Sequence, residues 1–562
     1  MSFSLGLSLN LRIKSLEQIL ATAEGKSLHR SLGAFQLMML GVGAIIGTGI
    51  FVLTAEAAQK AGPAMMISFV IAGFVCAVAA LCYAEMASMI PVSGSAYTYT
   101  YAIMGEAIAW IVGWALILEY AISASTVAVG WSGYMVGLLR HLHQLLPFLP
   151  DLIVPAQWVN GPWNGGLINV PALLISLLIA WLLVIGTKES ARVNAVLVSI
   201  KIVALGAFIL LSVPVMHAEN FHPFAPNGYI GKLGVGAAAA SIFFAYVGFD
   251  AVSTAAEETR NPHRNIPIGL LGSLAICTVC YLLVAMGAIG SVGAQPVVGS
   301  AGQALSAGSM ELAAACSGLH QLACSNEPLA YVLRQIHWPQ IGNLLGLAAG
   351  LALPTVILMM MFGQTRIFFA MARDGLLPSV FATLHPKYKT PHVVTVCTGV
   401  FVAFFAALFP VGKLADIANT GTLCAFFVVA LGVLILRLRD PGRRRTFRAP
   451  LLWVVGPLAI FGCLFLFSQL STYTELLFVG WTLAGILVYV AYGYRRSHLA
   501  TDEATNQCST KSKNRVASSE RNTICVSATL PMPSAPACIA ASATWPKAGP
   551  KTSRCSSPTH SS

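Results

Sequence analysis

The sequence predicts an all-α membrane protein of twelve spans. The first ten form two five-helix repeats of inverted topology, with helices 1 and 6 unwound at mid-span, and two C-terminal helices follow. Three observations predict this. Of 562 residues, 56% are hydrophobic and only 10% charged, and the mean hydropathy is +0.75, which a soluble domain of this length does not sustain. Twelve apolar runs have about the 20 residues that a bilayer crossing requires. Two of those runs, about half a protein apart, are interrupted near their middles by sequence that disfavours a helix.

The runs lie at roughly 34 to 60, 64 to 90, 107 to 138, 169 to 186, 194 to 216, 233 to 258, 267 to 290, 341 to 372, 392 to 410, 414 to 437, 451 to 470 and 473 to 494. The third is longer than a bilayer needs and predicts a tilted helix. An even number of spans puts both termini on one side. Lys and Arg gather in alternate segments, from Arg12 to Arg30, Lys188 to Arg192, Arg260 to Arg264, Arg373 to Lys389, Arg437 to Arg448 and at Arg495 and Arg496. The opposite segments hold only Lys60, Arg140, Lys232, Arg334 and Lys413. This bias predicts cytoplasmic N and C termini in the inner (plasma) membrane. The chain then divides into a cytoplasmic segment (1–33), two repeats (34–216 and 233–437), a terminal helix pair (451–494) and a cytoplasmic tail (495–562). The tail is rich in Ser, Thr, Pro and Cys without apolar periodicity and predicts disorder. No removable signal peptide is expected.

The net charge of +12 would direct a soluble protein toward nucleic acid, but here its sign follows topology and no nucleic-acid partner is expected. Thirteen scattered cysteines, several inside apolar runs, signal neither zinc nor a disulfide scaffold, and no cofactor or metal is expected. The chain carries no H-E-x-x-H, G-x-S-x-G or P-loop pattern, and its intramembrane carboxylates lack a nucleophile partner, so an enzyme is not expected.

The interruptions are GVGAIIGTGIF, from Gly41 to Phe51, and FFAYVGFD, from Phe243 to Asp250. The glycine spacing is not a dinucleotide fingerprint, and its flanks are membrane-length helix. Close helix packing alone would also use such glycines. Unwinding for a substrate is the favoured reading, because four glycines and Thr48 within nine residues erode helix propensity. An unwound segment frees N–H groups at the start of the next half-helix, where a carboxylate binds, and Thr48 and Gly49 are the natural donors. It also frees carbonyls that suit an ammonium, with Ile45, Phe244, Ala245 and Val247 as candidates.

These stretches, together with GAIIGTGIFVLTA (43 to 55), YAEMASMIPVSGSAYTYTY (83 to 101), LEYAISASTVAVGWSGY (118 to 134), FFAYVGFDAVSTAAEETRNPHRNIP (243 to 267) and RIFFAMARDGLLP (366 to 378), resemble the amino acid, polyamine and organocation transporter superfamily. Within it the chain is most similar to the cationic amino acid transporter branch and its bacterial relatives. The resemblance covers about residues 27 to 494 and implies a LeuT-like fold, a proton-coupled or exchanging amino-acid carrier, and substrate held by the first, third, sixth and eighth helices. It implies that Thr48 and Gly49 bind the carboxylate, and that the carbonyls of Ile45, Phe244, Ala245 and Val247 bind the amine. Glu119, in the third span, has a family counterpart facing the pocket; a protonated or helix-bonded carboxylate is the other reading. Asp250 is either a gating or coupling acid or an N-cap for the next half-helix. Glu85 and the run behind it resemble the family's cytoplasmic gate. Glu257, Glu258, Arg260 and Arg264 form either a gate ion pair or plain topological charge, and topology is favoured for the arginines. The family contains monomers and heteromers, so a small single-span partner subunit stays open.

Three further expectations follow. Cys316 and Cys324 lie in a segment expected outside, eight residues apart, and predict a disulfide. Met360 stands where cationic carriers of the branch have a small or polar residue, which implies a short apolar pocket for small or medium neutral amino acids. Lys201, the one charge in the fifth span, matches a lysine that in proton-coupled members replaces the sodium of other relatives, and implies a proton-coupling tether to the Gly43–Gly49 segment; snorkelling is the alternative. A cationic amino acid carrier, a sodium symporter, an exchanger and a non-transporting amino-acid sensor are the rival functions.

Overall fold

The computed structural model describes residues 32–499, apart from 91–94, 187–190, 255–258 and a few single loop positions. The basic residues before position 32, Lys188, Lys232, Glu257, Glu258 and the tail from 500 onward lie outside the described residues. Each predicted run holds helix over most of its described residues. Among the described residues eight helices are long and apolar enough to cross a membrane, and four shorter apolar ones, Ala34–Ile45, Val170–Ile185, Val235–Tyr246 and His392–Leu408, fall in the remaining runs. No strand occurs among the described residues, which hold only isolated bridges such as Leu32 with Thr259.

The first run is split, because the helix α1 (Ala34–Ile45) stops at two extended residues, Ile46 and Gly47. The chain resumes as a turn, Thr48–Phe51, and α2 (Leu53–Ala61). The sixth run breaks likewise: α3 (Val235–Ile242) tightens into a 3-10 turn, Phe243–Tyr246, then turns extended at Val247. Gly248 follows at φ 115°, a backbone angle that a β-carbon disfavours. Its position would put a β-carbon 2.9 Å from the Ala44 carbonyl oxygen, so the two breaks meet.

Around these breaks stand α4 (Met65–Met89), α5 (Glu106–Arg140), α6 (Ala191–Ser212), α7 (Pro262–Val292), α8 (Pro339–Arg373) and α9 (Val411–Arg439). The third predicted span, α5, is central: 78% of its most apolar stretch is buried, against 11% for the last described span, Thr472–Arg496, and it packs most extensively on α8 and α9. Large apolar side chains left exposed on the outer helices, such as Leu178, Val279, Phe404 and Leu487, are what a lipid-facing surface requires. Residues 495–499, expected to be disordered, are ordered: a helical turn at Tyr494–Arg496 is followed by a bond from the His498 N–H to the Asp374 carbonyl, 3.1 Å.

Candidate functional site

The two breaks touch because glycine permits it. A β-carbon at Gly49 would stand 2.2 Å from Ala245 Cα, closer than any real contact. Gly49 of the first break therefore lies against Ala245 of the second, and the Thr48–Phe51 turn packs on the Phe243–Tyr246 turn. As first residues of a helical turn, Thr48 and Gly49 have N–H groups with no acceptor inside it. The Thr48 hydroxyl is buried and has no hydrogen-bond partner among the described residues. Donors and carbonyls thus gather within one small volume, the arrangement that can hold a carboxylate and an ammonium together.

The carbonyls are not all idle. The hydroxyl of Tyr281, on α7 and fully buried, reaches Ile45 O at 3.0 Å and Ala245 O at 3.1 Å. It ties the two breaks together at the point expected for an ammonium, and Phe244 O accepts from the Val247 N–H at 3.2 Å. Sequence reasoning missed Tyr281, because a tyrosine in an apolar run carries no signal of where its hydroxyl points.

Lys201, on α6, is 2% exposed, and its Nζ donates to Gly43 O at 3.1 Å. The helix can come that close because Gly43 has no side chain: a β-carbon there would sit 2.4 Å from a Val198 methyl. On α8, Val356 packs over Gly47 and Met360 follows one turn later on the same face, 8% exposed. Glu119 is buried, lies against Gly421 of α9, and its Oε2 has no hydrogen-bond partner among the described residues. Asp250 uses its backbone carbonyl to take the Ser253 N–H and hydroxyl, at 2.8 and 2.6 Å, while its Oδ2 is 3.5 Å from the Tyr120 hydroxyl. Cys316 and Cys324 are joined by a disulfide, with Cα atoms 5.3 Å apart.

Two charge networks were not legible beforehand. Lys60, read from the sequence as a loop charge, is 8% exposed. Its Nζ donates to Ser241 Oγ at 2.6 Å and Asp416 Oδ2 at 3.0 Å and lies 3.5 Å from Glu56 Oε1, while Ser241 donates to Asp416 Oδ1. This network joins α2, α3 and α9 at one end of the bundle. At the other end Glu85, fully buried on α4, accepts from Arg437 Nε and Nη2 at 3.0 and 2.8 Å and from the Ala449 N–H at 2.8 Å, with Arg445 Nε 3.3 Å away. Single charges on distant helices give no sequence pattern that pairs them.

The family profile described as Amino acid permease matches residues 32–492. A branched-chain amino acid permease of Bacillus subtilis is 42% identical over 489 residues, covering 87% of this chain and 98% of the relative. A methylthioribose transporter of the same organism is 40% identical over 493 residues, with the same coverage of 87% and 98%. A chloroplastic cationic amino acid transporter of Arabidopsis thaliana is 35% identical, covering 78% of this chain and 72% of the relative. With this profile match, these relatives and its apolar helices, the chain belongs to the amino acid permease family and is a multi-pass membrane transporter rather than an enzyme.

Proposed function

We propose that this chain imports small or medium neutral amino acids together with protons, by alternating access between two inverted five-helix repeats, residues 34–216 and 233–437. In this reading twelve segments cross the inner membrane, the paired half-helices of each broken run together making one span, and both termini are cytoplasmic. Thr48 and Gly49 hold the substrate carboxylate, and the carbonyls of Ile45, Phe244, Ala245 and Val247 the ammonium. Met360 and Val356 limit the side chain. Glu119 borders the pocket, and Asp250 takes part in gating. The branched-chain relative supports a neutral amino acid. The methylthioribose relative makes that sugar thioether the competitor to include, since it has neither ammonium nor carboxylate.

The observation that carries the reading is the contact of buried Lys201 with Gly43 O. An ammonium there holds α6 to the segment whose unwinding forms the site, and loss of its proton weakens that hold. Uptake of labelled alanine or valine into proteoliposomes, with and without a pH gradient, tests it. Lys201→Ala is expected to abolish gradient-driven accumulation while alanine still raises the thermal stability of the purified protein. Lys201→Arg should not rescue, because a guanidinium keeps its proton. If either variant still concentrates substrate in a pH-dependent way, coupling passes to Glu119 or Asp250. The second reading, a cationic carrier or exchanger, is favoured by the chloroplastic relative's name. Competition by excess arginine with none by alanine would establish it in place of the neutral assignment.

A further inference from the structure

We propose that the cavity between the last turns of α5 and the segment joining α7 to α8 is a second, peripheral binding site that captures a small α-amino carboxylate through Arg140. The proposal rests on the amino-acid reading above for its ligand and on the outward orientation of this end of the bundle.

The cavity has a volume of about 560 Å³, inside the about 300–1,000 Å³ range of small-molecule sites. Its walls are held in place. The disulfide between Cys316 and Cys324 closes one side. Residues 326 and 327 lie flat on α5, since a β-carbon at Gly133 would be 2.5 Å from Asn326 O and one at Gly137 would meet the Glu327 carboxylate. From that position Glu327 begins α10 (Pro328–Gln335) and accepts from Arg334 Nη2. Arg334 is also bonded through Nη1, which donates to Asn343 Oδ1 at 3.1 Å, and Asn343 in turn donates to Gln144.

Arg140 differs. It is exposed, lines the cavity, and makes no hydrogen bond or ion pair among the described residues. Burial pushes the Glu327 carboxyl up to about 7, against the opposing pull of Arg334 and Arg140. The lining carries two arginines against one carboxylate, so the cavity keeps an excess of positive charge. A guanidinium with free donors in a recess of this size is built for a carboxylate, which it can grip with two parallel bonds. The side-chain carbonyl of Gln335, on the lining, supplies an acceptor for an ammonium. The lining is therefore complementary to a zwitterion, and the site lies apart from the helix breaks.

The test reports on the cavity directly. Ala156→Cys places an exposed thiol on its rim, where the native Cys316 and Cys324 are bonded and silent. Full-length protein in intact cells is treated with a membrane-impermeant maleimide, with and without millimolar valine. Valine is expected to slow labelling several-fold. Arg140→Ala in the same background should abolish that protection without changing the unprotected rate, and Lys201→Ala, with transport stopped, should retain it. No slowing by valine or alanine, equal slowing after Arg140→Ala, or loss of protection in Lys201→Ala would each overturn the proposal. Equal slowing by inorganic phosphate would make this an unselective anion site and overturn the amino-carboxylate assignment. Uptake without protection removes the peripheral site alone, whereas protection without uptake removes the transport reading alone.

Discussion

Tyr281 illustrates how one side chain can govern a site it was not expected to belong to. Its hydroxyl serves Ile45 O and Ala245 O, two carbonyls expected to serve an ammonium, so a substrate amine either displaces it or shares them. Leaving a buried acceptor unpaired costs about 1–3 kcal/mol. Tyr281→Phe is therefore expected to lower the thermal stability of the substrate-free protein by about that much, and to enlarge the stabilisation produced by saturating substrate. An unchanged melting temperature without substrate would mean that the carbonyls find other partners. At this scale the sequence singled out Thr48, Gly49 and Lys201 as candidates, because glycine density and a solitary intramembrane charge are visible in one dimension. Tyr281 was invisible, since its partners are 236 and 36 residues away.

Between helices, the connections are made by polar groups that could not be left unpaired. Trp114 Nε1 donates to Trp481 O at 2.9 Å and Trp481 Nε1 to Trp114 O at 3.0 Å, so the last helix, mostly exposed to lipid, is fastened to central α5. Glu85 does the same for the segment after α9. Removing one partner of a buried ion pair costs about 3–5 kcal/mol, because the other charge is stranded. Glu85→Gln leaves Arg437 and Arg445 without their carboxylate, and should lower stability by an amount approaching that and expose the 440–449 segment to trypsin. Equal digestion rates in the variant and the parent protein would show that the ion pairs do not hold that segment down. The helices themselves were legible from apolar run length. Their fastening was not, because hydropathy records how much of a helix avoids water and nothing about which neighbour takes its N–H or carboxylate.

Across the whole molecule, the network of Lys60, Glu56, Ser241 and Asp416 joins α2, α3 and α9 at one end of the bundle. In the transport reading proposed above this end has to open and close in each cycle, so Lys60→Met, which leaves Asp416 and Glu56 without their cation, should cut uptake at least tenfold. A double-mutant cycle with Asp416→Asn should give a coupling energy of about 0.5–3 kcal/mol in the stability of the purified protein. Additive effects would mean that the contact is incidental. The sequence by itself determined the apolar environment, the order of the helical runs and the two places where a helix gives way, because each follows from composition over a window of residues. Only the tertiary structure decided which carbonyls face which donors, that Lys60 is a buried partner rather than a loop charge, and that Arg140 borders a cavity while Arg334 is already paired. Those outcomes depend on where helices hundreds of residues apart come to rest, and burial makes each pairing costly to leave incomplete.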